Sequence, residues 1–379
     1  WGRVKFGMLF SEIARSVRLA IRVLLAGWPR SKIDIWVRVR MMEFLWYYTF
    51  WRCFFVSWNI KIYLDFQIAM PWRVALDQAL ADLGGISMSY QRSEEWVPSP
   101  FRARSADVHF SFSGMHKDIE LIGATSMISQ LVVTGYIHSH AFKRVRSRAL
   151  QLRTRLQEGG ARFIVCFFDG YSSSNRQLWV SHQHRAEDYR FLLHQVLTDT
   201  SLGLVLKPKK PADLRERLGG VASLLDEALG TGRCLILDDG NIHAAEILPS
   251  EASLVADVTI SLLSGPTPSI ESILNGVPAI IIDRDHNTGH ALYHDTNEGR
   301  AIYLDWKDLW RDILFYRDDR ATVSWSGMVS QNLDRLDPFQ DERAAERIGS
   351  YVQWLAEGLA RGCSREETLG EAKHQYTAK

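Results

Sequence analysis

The stretch SGPTPSIESILNGVPAI, Ser264 to Ile280, decides how the rest of the chain reads. An apolar run, DVTISLL (257–263), leads into it, and VPAIIID (277–283) leads out of it. Small residues and prolines at the mouth of a strand, then a short helix and a second strand, make a βαβ connection in a parallel sheet. Thr267 reads as the helix N-cap and Pro268 as the first helical residue, where a missing N–H costs nothing. Glu271 follows about one turn in, and Gly276 closes the helix. Ligands of parallel sheets bind where the carboxyl ends of strands open into loops. There the N–H groups of a first helical turn, with the positive end of the helix dipole, suit a diphosphate. A carboxylate one turn further on can accept hydrogen bonds from two vicinal hydroxyls, as on a ribose. The same residues also satisfy a plain connection in which the glutamate only complements the dipole. GxGxxG and Walker loops are absent.

Working outward, the same alternation recurs. IKIYLDF (60–66), ISMSYQRS (86–93), ADVHFS (106–111) and QLVVTGY (130–136) read as strands, with WRVALDQALADLGG (72–85) a helix between the first two. The basic helix 142–160 leads into ARFIVCFFDGYSSSN (161–175), a buried strand opening into a polar loop. From about residue 180 the pattern restarts, with strands at LGLVLKPKK (202–210) and RCLILDD (233–239) before the opening stretch. Two Rossmann-like units are expected, meeting near residues 170–190. The segment 341–362 is an amphipathic helix with Ala345, Ile348, Val352, Leu355 and Leu359 on one face.

The 379 residues suit two domains, and 46% hydrophobic with 23% charged residues is a globular composition. A net charge of +1 argues against a chain-wide nucleic-acid surface, so no nucleic acid is expected as partner. Residues 1–60 are different: ten Lys/Arg against three Asp/Glu, a local balance of +7. FLWYYTFWRCFFVSW (44–58) holds nine aromatics in fifteen residues, and IARSVRLAIRVLLAGW (13–28) is basic and amphipathic. Arg52 interrupts the aromatic run, and a span needs roughly 20 apolar residues. Peripheral contact with a membrane through residues 10–58 and packing within the first domain both fit these residues. The four cysteines, Cys53, Cys166, Cys234 and Cys363, lie far apart, which fits a reducing cytoplasm.

Strand, Ser-Gly, a small-residue turn, Glu, then Gly-x-Pro and a β run resembles the donor-nucleotide motif of GT-B glycosyltransferases. It is also similar to the matching stretch of non-hydrolysing UDP-GlcNAc 2-epimerases, which share that fold. FFVSWNIKIYLDF, SADVHFSFSG, LVVTGY, GLVLKPKK and LDPFQDERAAERIGSYVQWL, scattered over residues 50–360, resemble bacterial surface-polysaccharide proteins of GT-B type. The resemblance implies Ser264, Gly265, Thr267 and Ser269 near a diphosphate and Glu271 on the ribose. Pro266 stands where a glycine is often found in that turn.

Lys207, Lys209 and Lys210 end a strand, where a cation can stabilise a leaving nucleotide or simply sit in solvent. Asp169, ahead of Ser172, Ser173 and Ser174, is the candidate catalytic base, and Asp-Gly there equally makes a turn. His138 and His140 lie two apart without a carboxylate or cysteine at useful spacing; His109 and His116 flank SFSG. No metal or other cofactor is expected. The 283–290 loop, DRDHNTGH, can close over a donor base or sugar.

The expected architecture is therefore α/β and GT-B-like, with two parallel-sheet Rossmann-like domains facing a cleft. A helical segment 1–58 precedes an acceptor domain 59–180, a nucleotide-donor domain 181–340 and C-terminal helices 341–379. The expected activity moves a sugar from a nucleotide-sugar donor to a glycan or lipid-linked glycan acceptor. The alternatives are a nucleotide-sugar epimerase of the same fold and a GT-B-like scaffold without catalysis.

Overall fold

The computed structural model describes residues 6–25, 31–66, 70, 72–93, 105–115, 127–174, 180–238, 240, 247–290, 292–295, 301–321, 323, 325 and 333–378. The chain forms two compact units. The first comprises residues 1–92, 98–134 and 345–379, and the second residues 93–97 and 135–344.

In the first unit two helices, α1 (Phe6–Leu25) and α2 (Lys32–Trp58), precede a four-stranded parallel sheet. The Ser31 side chain caps α2 by accepting the Asp34 N–H, and Asn59, at φ 51°, ends it in the left-handed region. The strands β1 (Ile62–Asp65), β2 (Ile86–Tyr90), β3 (Ser105–Ser111) and β4 (Met127–Val133) lie side by side in chain order. Arg73, at the start of helix Arg73–Ala81, is buried and ties three strands together. It pairs with Asp65 of β1, donates to the Met88 carbonyl of β2 at 3.2 Å and to the Ser105 carbonyl of β3 at 3.1 Å. Helix Ala344–Ala360 and helix Arg365–Thr377 return to this unit. The Tyr351 hydroxyl donates to Gln130 Oε1 of β4 at 2.5 Å, and Tyr376 donates to the Val133 carbonyl. The buried face of the first of these helices keeps the expected Ile348 and Leu355 but takes Ala344 and Tyr351 in place of Ala345 and Val352. Tyr351 brings the larger apolar body and the hydroxyl that Gln130 can use, so it takes the inward position from Val352.

The second unit is a six-stranded parallel sheet, β10-β9-β8-β5-β6-β7. Its strands are β5 (Phe163–Asp169), β6 (Leu202–Pro208), β7 (Cys234–Ile236), β8 (Val258–Leu262), β9 (Ala279–Ile282) and β10 (Ile302–Tyr303). Numbered within the unit, this is the order 3-2-1-4-5-6 of dinucleotide-binding sheets, reversing direction between β5 and β8. One face packs on a core that includes Leu192, Leu204, Val258, Ile280 and Trp306; the other packs on Ile164, Cys166, Val205 and Ala252. Every residue of β5, β6, β8 and β9 is buried, which is why these stretches read as unbroken apolar runs.

The boundary departs from the expected junction at 170–190. The chain leaves the first unit between Thr134 and Gly135, so the basic helix Phe142–Glu158 and β5 belong with the second. Pairing decides this: β5 is hydrogen-bonded to β6 over Phe163–Asp169 and to β8 at Val165–Phe167. A strand buried on both faces carries no local mark of the sheet it will join. For the same reason the segment 341–379 is not separate, since most of it completes the first unit.

Candidate functional site

Within the second unit, the loops following β5 and β8 open at the point where the strand order reverses, the place where doubly wound sheets take their ligands. After β8 come Ser264 and Gly265, both exposed, and a Cβ placed on Gly265 would meet nothing within 4 Å. The following helix spans Thr267–Leu274 with Pro266 as N-cap, one residue earlier than expected, so Thr267 is its first residue and Pro268 its second. This changes the donor supply. Pro266 and Pro268 have no N–H, Gly265 N–H is used by the Leu262 carbonyl at 3.1 Å, and Ser269 N–H by the Pro266 carbonyl at 2.9 Å. The expected cradle of first-turn N–H groups is thus largely spent, and an anion here would depend on the dipole, Ser264 and nearby cations.

The Ser269 hydroxyl turns away from the opening and donates to Ser261 Oγ of β8 at 2.7 Å, which fastens helix to strand. Glu271 is also turned inward and only 4% exposed. Its Oε1 accepts from the Tyr136 hydroxyl at 2.6 Å, and its Oε2 accepts from the N–H of Ser250 at 2.6 Å. Ser250 is the second residue of helix Pro249–Val255, so the carboxylate serves one of that helix's orphan donors. Burial pushes the Glu271 carboxyl above the usual carboxylate range, against the Tyr136 bond, the Ser250 bonds and the charge of Lys207. A carboxylate can accept further hydrogen bonds, but here access to it is closed.

Lys207, near the end of β6, is buried at 9% exposure, and its charge acts on both Glu271 and Glu251. Glu251 pairs with Arg148 at 2.8 Å, and burial pushes its carboxyl up. The structure therefore gathers Lys207, Glu251 and Glu271 in one electrostatic neighbourhood, although Lys207 and Glu271 were expected at different parts of a donor. Lys209 is exposed beside the end of β5, its N–H on the Asp169 carbonyl at 3.1 Å. Lys210 lies 3.8 Å over the Tyr171 ring.

Asp169 ends β5 at the reversal point, but its side chain is fully buried. Oδ1 lies 2.8 Å from Arg185 Nε, and Oδ2 accepts from Tyr189 at 3.2 Å and faces Arg217 at 3.5 Å. Burial raises its carboxyl pKa, and the two guanidinium groups oppose that rise. Arg185 continues to Asp188 at 3.0 Å, which in turn receives Arg284 at 2.8 Å and the Trp306 indole N–H at 2.7 Å. This geometry makes Asp169 the hub of an internal ion-pair network and offers no base to a ligand. Ser172 is likewise buried, accepting from Arg217 at 3.0 Å and paired with His182 Nδ1 at 3.0 Å.

His109 is a core residue of the first sheet, its Nδ1 2.8 Å from Ser89 Oγ; His116 lies outside the described residues. His138 is held below its usual pKa by burial and by His140. In the 283–290 loop Asp283 is buried and accepts from the Tyr293 hydroxyl at 2.5 Å, while residues 285–289 are exposed.

Four residues central to this region, Tyr136, Arg185, Arg217 and Ser250, escape the sequence reading. Only Arg185 leaves a trace, an arginine three residues before an aspartate on a helix whose remaining inward positions are apolar.

No known family and no curated protein sequence matches the chain. Solved structures do match it in fold. The wall teichoic acid polymerase TagF superposes with a TM-score of 0.52 at 10% identity, covering 79% of this chain and 73% of that one. A putative UDP-N-acetylglucosamine 2-epimerase from Listeria monocytogenes gives 0.51 at 13% identity, covering 86% and 82%. S. aureus MnaA, in a co-structure with UDP, gives 0.51 at 12% identity, covering 84% and 82%. With two parallel-sheet units and these structural neighbours, the chain has a GT-B-like fold.

Proposed function

We propose that the chain is a nucleotide-sugar-dependent glycosyltransferase, moving a sugar from a nucleotide-activated donor to a glycan acceptor, lipid-linked where the chain works at a membrane. One observation carries the reading. The strand order reverses between β5 and β8, and the turn that opens there, Ser264-Gly265, is an exposed part of the donor-like motif. The nucleotide would lie along that turn, its phosphates toward Ser264, Thr267 and the exposed Lys209. Lys207 and Glu271 would act from behind, Lys207 as a buried positive charge and Glu271 by holding Tyr136 and the Ser250 helix. The support from solved structures is that TagF was soaked with CDPG and MnaA holds UDP on this fold.

Two further readings each have an observation behind them. One of the fold neighbours is the UDP-N-acetylglucosamine 2-epimerase-type protein of L. monocytogenes, with 82% of it covered, which favours an epimerase. The commitment of Asp169 to buried arginines leaves its strand end without a catalytic carboxylate, which favours a scaffold.

The test is thermal stability against UDP, GDP, CMP, CDP and ADP. A nucleotide at 100 times its Kd stabilises the native state by about 2.7 kcal/mol. The informative variants are Ser264→Ala and Lys209→Ala, because Glu271→Ala would disturb packing whether or not a nucleotide binds. Stabilisation by one nucleotide, reduced in both variants, supports the donor site; no stabilisation by any of them removes it. Turnover that requires a glycan acceptor then separates transferase from epimerase, and binding without turnover points to the scaffold.

A further inference from the structure

The α1–α2 hairpin uses a small part of its surface to hold itself in place. Arg52, buried, donates to both oxygens of Glu12, at 2.5 and 2.8 Å, and so joins α2 to α1. Tyr48 and Phe55 pack α2 onto Leu76, Ala79 and Leu80 of the next helix. What faces outward is strongly apolar. On α1, Phe10, Ile13, Val17, Ile21 and Leu24 recur every three or four residues and are 47–75% exposed. On α2, Trp46, Phe50, Phe54 and Trp58 recur every four residues and are 36–74% exposed. Between the helices lies an open groove of about 540 Å³, lined by Leu19, Val23, Trp36, Met41 and Phe44 and also by Arg22 and Arg40. Two helical rows this exposed among the described residues mark a docking surface.

Charge selects the occupant. Across residues 10–25 and 31–58 seven Lys/Arg stand against three Asp/Glu, and one of those acids, Glu12, is already spent on Arg52. Arg15, Arg18, Arg22 and Lys32 are exposed. A second copy of the hairpin would bring like charge onto like charge. A surface of anionic headgroups over an acyl boundary offers phosphates to the arginines and a half-apolar layer to Trp and Phe. Among the described residues no helix is long and apolar enough to cross a membrane, so the hairpin would lie along the surface. We propose that α1 and α2 dock the protein on an anionic lipid bilayer. This stands on the first unit alone and is independent of the donor reading.

The experiment is co-sedimentation of the full chain with vesicles of phosphatidylcholine, with and without phosphatidylglycerol, at low and high salt. The anionic vesicles should bind at least about tenfold more tightly, and salt should weaken them. Arg18→Gln with Arg22→Gln should lower that affinity by about tenfold or more, since each basic residue near such a surface is worth roughly fivefold. Trp46→Gln with Phe50→Gln should weaken binding to both vesicle types. Both pairs are exposed, so an unchanged circular dichroism melt shows that the variants fold. Equal binding to both vesicles, or none to either, overturns the proposal. So does a concentration-dependent dimer abolished by the Trp46/Phe50 pair, which would identify a second copy as the occupant. Stabilisation by nucleotide should be the same in the arginine pair as in the wild type, whatever the vesicles show.

Discussion

The Tyr136 hydroxyl and the Ser250 N–H divide one carboxylate between them: Glu271 takes the first on Oε1 and the second on Oε2, each at 2.6 Å. Tyr136→Phe should therefore cost about 1–3 kcal/mol, the range for leaving a buried acceptor short of a partner. Urea denaturation at neutral pH measures it. In Glu271→Gln the same tyrosine substitution should cost less, because the charge that made the bond strong is gone. Equal costs in both backgrounds would show that Tyr136 acts by packing alone.

Asp77 governs a pH dependence in the first unit. Burial pushes its carboxyl from the ordinary 3.8 up to about 6, with Arg73 opposing. The folded state thus keeps a proton that the unfolded chain has released. Its contribution is fully present below the unfolded value and is lost as pH rises toward 6. The size is about 3 kcal/mol. Denaturant midpoints from pH 4 to 7 should fall in the wild type relative to Asp77→Asn, which cannot titrate. A difference that does not change with pH would sink the assignment.

The Asp169–Arg185 pair should behave as a buried bond that is expensive to halve. Arg185→Met leaves the carboxylate with Arg217 and should destabilise the second unit by roughly 3–5 kcal/mol. Replacing both, Asp169→Asn with Arg185→Met, should recover part of that loss. If both losses simply add, the two charges are not coupled as their 2.8 Å separation implies.

Gly135 sits at φ +91°, and a Cβ there would lie 2.8 Å from Asp337 Oδ1. Asp337 is held in place by accepting the N–H groups of Tyr136, Phe339 and Gln340 at 3.0–3.1 Å. Gly135→Ala should cost about 1–3 kcal/mol through the left-handed backbone, and the contact adds to that. Asp337→Ala loses these three hydrogen bonds but relieves the contact, so the loss in the double variant should be smaller than the sum of the two single losses. Thermal unfolding of the three variants reads this directly.

Much of the fold was legible because parallel strands buried on both faces announce themselves as apolar runs, and the turn residues at 264–276 mark where the chain reverses. Sheet membership was not legible. Phe163–Asp169 looks the same whether it closes the first sheet or opens the second, and only its pairing with Leu202–Pro208 and Val258–Ile260 decides. At the site, sequence located the exposed turn Ser264-Gly265. The directions of Ser269, Glu271 and Asp169 are tertiary facts, fixed by Ser261, Tyr136 and Arg185, residues 8, 135 and 16 positions away. The prolines at 266 and 268 were visible, but their effect on N–H supply depended on where the helix begins, which moved by one residue.

The return of residues 345–379 to the first unit has a consequence for synthesis. On the ribosome, β1 to β4 emerge early, yet Tyr351 and Tyr376, which engage Gln130 and the Val133 carbonyl, emerge only after the whole second unit. The second unit can fold as soon as residue 344 is free, whereas the first begins before it and finishes after it. During that interval the β4 side of the first sheet is uncovered, and it is the stretch on which a chaperone or a misfolding neighbour would act.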